Sequence, residues 1–243
     1  MYTIRKLVYL SSRASRQSRQ KLKGVRNTHF DKKCVIICNG PSLNEEDLSV
    51  LENVFCFGLN KINLIFSKTK FRPNAIVAVN PLVIQQNSAF FNDSQIPIFL
   101  DGTNARGRLA YAENHIHLFC YEKGFSKDAL NYISQGGTVT YVALQLAYFM
   151  GFKKVALIGC DHNFSFDGAP HEKQVLRGPD KNHFDGAYFS GMEWQLPDLK
   201  KSEASFTEAL EVYESAGRQI FNATRSTALD VFHKMTLQEF LKL

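Results

Sequence analysis

The sequence predicts an α/β protein: a doubly wound, mostly parallel sheet with a long lid after its last core strand. Three observations carry this. From Lys33 onward, short apolar runs bounded by turn residues alternate with segments of helical periodicity, as buried parallel strands and their crossover helices do. Several of the runs end in asparagine, at the carboxyl ends where an open sheet gathers its ligand. Directly after the last strong run, a polar and aromatic segment at 161–198 breaks the rhythm.

The strands predicted in order are CVIIC (34–38), VFCF (54–57), AIVAV (75–79), IPIFL (96–100), IHLFC (116–120) and KVALIG (154–159). Helices are expected at 45–51, 60–67 and 82–91, and most clearly at 138–150. In that last segment Val142, Leu146 and Phe149, with Leu144 and Ala147, recur at helical spacing and Gly151 follows as a stop. A long irregular stretch inside a compact domain is a functional lid or is disordered; the aromatics of 161–198 and the single tryptophan, Trp194, favour an ordered lid. A helix at 200–216 ending at Gly217, a strand at 219–224 and a closing segment at 236–243 complete a Rossmann-like catalytic domain spanning 33–243.

Residues 1–32 read as a separate basic segment, lying on a membrane surface or flexible. Residues 1–26 hold Arg5, Lys6, Arg13, Arg16, Arg19, Lys21, Lys23 and Arg26 with no acidic residue. Tyr2, Ile4, Leu7, Val8 and Leu10 lie among these charges, which favours an anionic membrane surface over nucleic acid; a solvated tail is the plain alternative. The whole chain, 243 residues with 44% hydrophobic content, is ample for one core. It has no apolar run of membrane-spanning length, and its start lacks a small-residue cleavage site. Five cysteines without a CxxC pair read as buried thiols of a reducing cytoplasm. The expected location is therefore cytoplasmic, peripheral on the inner membrane face if the basic segment binds there.

The chemistry gathers at strand ends. In Asn39-Gly40-Pro41-Ser42 the glycine would let the backbone approach a ligand, Pro41 would fix the start of a helix, and Asn39 could meet a ribose or phosphate oxygen. The same residues also serve as an ordinary helix start with Ser42 or Asn44 as cap. Asn60 and Asn80 end the next two strands, as turn formers or as a polar rim for a hydroxyl-rich ligand. Gly136-Gly137-Thr138 opens the longest helix and suits both capping and an anion. Asp161 and His162 follow the last core strand, where Asp161 could hold a ribose hydroxyl pair or a metal. Lid histidines His171 and His183 are exposed bystanders or general bases. No GxSxG, HExxH or Walker pattern is present.

The order of these motifs (CNGPSL, GLNK, AVNPL, the GGT-to-GCDH run, NHF and IFNAT) resembles a bacterial group described as 6-hydroxymethylpterin diphosphokinase MptE-like, over about residues 33–233. More distantly it is similar to the bacterial CMP-sialic acid-dependent sialyltransferases, which have a GT-A variant of this fold. That similarity implies that Asn39, Gly40, Pro41, Ser42 and Asp161 hold a nucleotide. Asn60, Asn80 and Thr138, beside Gly137, would face the donor sugar, and His183 would deprotonate the acceptor. Those enzymes carry two tyrosines after their G-x-D; this chain has Asn163 and no tyrosine before Tyr188. Their arginine before the small-hydroxyl turn is matched by glycine near Gly136. His162, His171 or Lys173 would then have to receive the leaving phosphate.

The expected function is transfer of an acidic sugar such as sialic acid or Kdo from a CMP-linked donor to a glycan or glycolipid of the cell surface. No metal ligand set is assigned, magnesium is optional, and nucleic acid is not a partner. Oligomeric state is left open, a homo-oligomer included. The second reading is a pterin pyrophosphokinase using ATP and magnesium, to which Asp161, Asp167 and Asp180 would contribute carboxylates.

Overall fold

The computed structural model describes residues 2–243. Its elements in chain order are α1 (Tyr2–Ser11), α2 (Arg13–Val25), β1 (Lys33–Ile37), β2 (Phe55–Leu59), β3 (Ala75–Ala78), α3 (Pro81–Gln86), α4 (Ser88–Asp93), β4 (Ile98–Asp101), α5 (Gly102–Ala105) and β5 (His115–Leu118). They continue with α6 (Val139–Met150), β6 (Lys154–Ile158), β7 (Lys173–Val175), β8 (Glu193–Gln195), α7 (Leu199–Ser215), β9 (Gln219–Asn222), β10 (His233–Lys234) and α8 (Leu237–Lys242). Eight strands form one sheet in the order β10-β9-β6-β1-β2-β3-β4-β5, and every pairing in it is parallel. Strand order reverses between β1 and β6, so the fold is the doubly wound one expected.

Alternating side chains of each strand feed two cores. Cys34 and Ile36 pack with Phe57, Val77, α6 and α7 on one face. Val35 and Ile37 pack with Ile76, Ile158, the lid aromatics and α8 on the other. Helix α6 is buried nearly all round, with Val142, Leu144, Leu146 and Ala147 fully inaccessible, because it lies between the sheet and α7. Each such Val or Leu contributes about 1.5–3 kcal/mol relative to exposure. Gly151, at φ 97°, closes α6 in the left-handed conformation that costs other residues strain.

Three local expectations are corrected. The helices foreseen at 45–51 and 60–67 are short 3₁₀ turns, at Pro41–Glu45, Leu48–Leu51 and Ile62–Ser67. Buried Ile62 and Ile65 share a side at three residues per turn, which the tighter helix provides. The helix at 82–91 is divided into α3 and α4 at Asn87, whose side chain donates to Asn63 Oδ1 at 2.8 Å. The basic segment is not separate from the domain over its described residues: α1 and α2 fold onto it. Ser18 Oγ accepts from the His117 amide at 2.8 Å, and Leu22 is buried in the core.

Candidate functional site

The switch point between β1 and β6 is built by two loops that hold each other. Gly40 N–H donates to the Gly159 carbonyl at 2.8 Å, continuing the ladder past the strand ends. Asp161 then folds its carboxylate onto the NGPS turn, accepting from the Ser42 amide at 2.9 Å and from the Ser42 hydroxyl. A Cβ on Gly40 would fall on that carboxylate and on the Gly159 carbonyl. The glycine is therefore required by Asp161. Ser42 and Asn44 cap nothing: Ser42 holds Asp161, and Asn44 donates to the Phe184 carbonyl at 2.7 Å. Both Asp161 oxygens accept from Ser42, leaving only their remaining lone pairs toward the cavity.

The asparagines divide. Asn80 Oδ1 accepts from the Leu82 amide at 2.9 Å and the Val83 amide at 3.4 Å, so it caps α3. Asn39 Oδ1 and Asn60 Oδ1 are two of four buried side-chain polar atoms that find no partner among the described residues. Asn60 is held in the left-handed region at φ 50°, which asparagine tolerates better than most residues. An unpaired buried acceptor costs roughly 1–3 kcal/mol, and both of these lie in side chains at the same strand-end rim. Opposite them stands the α6 amino end, where Thr138 Oγ1 accepts from the Thr140 amide at 3.3 Å.

The lid is ordered. It carries the β7–β8 hairpin, and Phe184, Tyr188, Phe189, Trp194 and Leu196 are buried in the core beneath it. The Phe184 amide donates to the Asn39 carbonyl at 2.9 Å, fixing the lid to the NGPS turn. The next residue back is His183. Its ring stacks on Tyr188 at 4.1 Å with planes 6° apart, and its Nδ1 lies 2.8 Å from Asp180 Oδ2. The Asp180 carboxylate is 1% exposed, and its other oxygen accepts from the Asn182 amide at 2.9 Å. A buried carboxylate on Nδ1 fixes the ring and its tautomer, leaving Nε2 as the acceptor; no protein group bonds Nε2 among the described residues. Beneath this stack Lys61 is 3% exposed, donating to the Tyr188 carbonyl at 2.6 Å and to Gln86 Oε1 at 2.8 Å. Burial pushes its ammonium down to about 8, against the opposing pull of Asp180.

Two adjoining cavities open here. The inner one, about 140 Å³, is lined by Asn39, Gly40, Asn60, Gly137, Thr138, Asp161, His162 and His183 among others. The outer one, about 390 Å³, shares Asn60, Gly137, Thr138 and His183 and adds Asn80, Gln135, His171 and Lys201. His183 thus stands in the wall common to both lobes. Pro41 and Ser42 line neither. A larger cavity of about 730 Å³ lies at the amino ends of the strands, but size does not make it the site. Its Lys33 and Lys154 are bonded to the Leu241 and Leu243 carbonyls, and Lys153 pairs with Asp31 at 2.8 Å.

His162 Nε2 is 3.0 Å from Glu203 Oε1, His171 Nε2 3.4 Å from Asp198, and Lys173 pairs with Glu193 at 3.6 Å, outside both lobes. The carboxylates do not fit a protein-held magnesium site. Asp161 is turned onto Ser42, Asp180 onto His183 and Asn182, and Asp167 lines neither lobe. Among the described residues no three His, Cys, Asp or Glu side chains gather as metal ligands.

The sequence profile of the family described as 6-hydroxymethylpterin diphosphokinase MptE-like matches residues 8–167, about two thirds of the chain. The chain belongs to the MptE-like family. Its fold is also similar to that of the MAf glycosyltransferase from Magnetospirillum magneticum AMB-1, with a TM-score of 0.56 at 11% identity. That similarity covers 92% of this chain and 38% of the other, so this MptE-like chain corresponds in fold to a part of the larger protein. No curated protein sequence matches it.

Two parts of the site escaped the reading of the sequence. Asp180 counted only as a metal carboxylate, although its i, i+3 spacing to His183 in DKNH was the available signal for a base and its orienting acid. Lys61 carried no signal, because nothing local tells that a lysine after a strand is buried.

Proposed function

We propose that this MptE-like protein is a glycosyltransferase that moves a sugar from a nucleotide-activated donor to a hydroxyl of a glycan or glycolipid, with a CMP-linked acidic sugar the favoured donor. One observation carries the reading: an oriented His183, its Nε2 unbonded among the described residues, stands between two lobes, the inner of which is lined by the polar residues Asn39, Asn60 and Thr138. Two lobes sharing a base suit two substrates, and a wall of asparagine and threonine side chains suits a hydroxyl-rich nucleoside or sugar. The similarity in fold to a glycosyltransferase is consistent with it.

On this reading the acceptor hydroxyl approaches through the outer lobe and loses its proton to His183 Nε2 as its oxygen bonds to the anomeric carbon. Asp180 stabilises the imidazolium so formed. The anomeric carbon–oxygen bond to the phosphate breaks, and its electron pair leaves on the phosphate. The amino end of α6 at Gly137, Thr138 and Val139 would receive that charge without a metal. His162 and Lys201, in the lobe walls, are further candidates to meet the phosphate, in the role the tyrosines of the sialyltransferases fill.

The family description favours a second reading, ATP-dependent pyrophosphoryl transfer to a pterin. It calls for carboxylates free to hold magnesium, and the engagement of Asp161 and Asp180 weighs against it. Calorimetry of the purified protein with CMP, UDP, GDP and ATP, each with and without magnesium, separates the two. The expected result is binding of a pyrimidine nucleotide without magnesium; binding of ATP alone, and only with magnesium, would overturn the transferase reading. His183→Ala should lower turnover about 10²–10⁴-fold while leaving nucleotide affinity unchanged. Full turnover in that variant would remove His183 from the mechanism.

A further inference from the structure

Helix α1 turns its apolar residues the wrong way for a helix of the core. Tyr2, Lys6 and Tyr9 face the domain: the Tyr2 ring packs edge-on against Phe119 and Tyr121, and the Tyr9 hydroxyl donates to the His117 carbonyl at 2.6 Å. Ile4, Leu7 and Val8, spaced i, i+3, i+4, share the opposite face and are 69%, 63% and 54% exposed. They are three of the nine large apolar side chains exposed among the described residues, and they sit together on one short helix. Scattered exposed apolar residues need no explanation, whereas a contiguous row marks a surface that something covers.

The surroundings of that row select what covers it. Residues 1–26 carry eight basic side chains and no acidic one. Arg16 bonds to the Ser11 carbonyl at 2.6 Å, Arg19 to the Leu130 carbonyl, Lys6 to Asn131 Oδ1 and Lys21 to the Glu113 carbonyl. Only Arg26 meets a carboxylate among the described residues, Asp128 at 3.9 Å. The positive charge is thus left almost unneutralised. A second copy docking on this face about a two-fold axis would set basic helices against each other. An anionic lipid surface instead takes the apolar row into its acyl boundary and the cations among its headgroups.

We infer that α1 docks the protein on an anionic bilayer through Ile4, Leu7 and Val8, with the exposed cations Arg5, Arg13, Arg16 and Lys23 available to the headgroups. The placement also bears on catalysis, a part that rests on the transferase reading. The loop that carries α1, from Phe119 to Ile133, continues into the rim of the outer lobe: the Gln135 amide donates to Glu122 Oε1 at 2.7 Å, and both residues line that lobe. Docked through α1, the protein would present the outer lobe's side to the bilayer, where a lipid-linked acceptor lies.

The test is co-sedimentation of the full-length protein with vesicles of phosphatidylcholine and phosphatidylglycerol at 3:1, and of phosphatidylcholine alone, in 0.1 M salt. The expected result is binding to the anionic vesicles roughly tenfold or more above the neutral ones, and falling with added salt. Ile4→Ser/Leu7→Ser/Val8→Ser, all at exposed positions, should weaken it at least roughly tenfold. Equal binding to neutral vesicles, or full binding by the triple variant, overturns the inference. So does a wild-type dimer in sedimentation velocity that the triple variant dissociates, which would make this face a contact between copies. Vesicle binding is read without any donor or acceptor, so it can succeed or fail independently of the transferase reading.

Discussion

The lid covers the carboxyl ends of the strands while the amino-terminal helices pack along edge strand β5, and the two bury their apolar side chains to different extents. In the lid, Phe184, Tyr188, Phe189 and Trp194 all turn inward, and the loop they anchor holds His183 against Asp180. In α1, aromatic Tyr2 and Tyr9 turn inward while the aliphatic Ile4, Leu7 and Val8 turn out. Both segments mix apolar residues with polar ones in sequence. What separates them is the surface each lands on. The lid meets a broad apolar face at the strand ends, whereas α1 meets only a narrow aromatic patch at the edge strand β5, which has room for one side of a helix.

That contrast can be broken by substitution. Trp194→Ala should have the largest effect on stability, about 3–5 kcal/mol, as an aromatic truncation within a packed core does; urea denaturation would measure it. A small loss would mean that the lid rests on the domain without supporting it. Next comes acid. His117 lies beneath Tyr9 on β5, and burial, with help from nearby His115, Arg106 and Lys21, pushes its imidazole down to about 4. Between pH 6.5 and 4 the unfolded chain binds this proton and the folded one does not, so stability is full above that window and falls as pH drops through it. The loss is roughly 2–3 kcal/mol. His117→Phe should flatten that part of the pH profile, and an unchanged profile would show that the helices do not bury this ring in solution. The smallest effect is expected from the α1 triple serine variant, within about 0.5 kcal/mol of wild type, as for exposed positions generally. A larger loss would place those side chains inside a contact rather than on an open face.

The six core strands foreseen from apolar runs all form, within a few residues of their expected ends, because continuous apolar runs such as CVII and AIVA suit strands covered on both faces, as those of a parallel sheet are. The longest helix and its glycine stop were equally plain. The helices of residues 2–25 were not. Their inward faces are largely Ser15, Ser18 and aromatic Tyr9, and small polar residues do not register as a core even though they let a helix approach a strand closely. At the site, the strand-end asparagines were legible as a set, but their roles were not, since capping by Asn80 and the orphaned oxygens of Asn39 and Asn60 differ only in what lies near them in space.

The sequence by itself determined the alternation of strands and helices, the glycine that Asp161 requires, and the histidine in the lid, because each follows from periodicity or from a local backbone demand. Only the tertiary structure decided that Asp161 grips Ser42, that Asp180 rather than solvent meets His183, and that Lys61 is buried beneath them. Those pairings join positions whose meeting depends on how the loops close over the sheet, and burial, which sets their energetic weight, is a property of that closure.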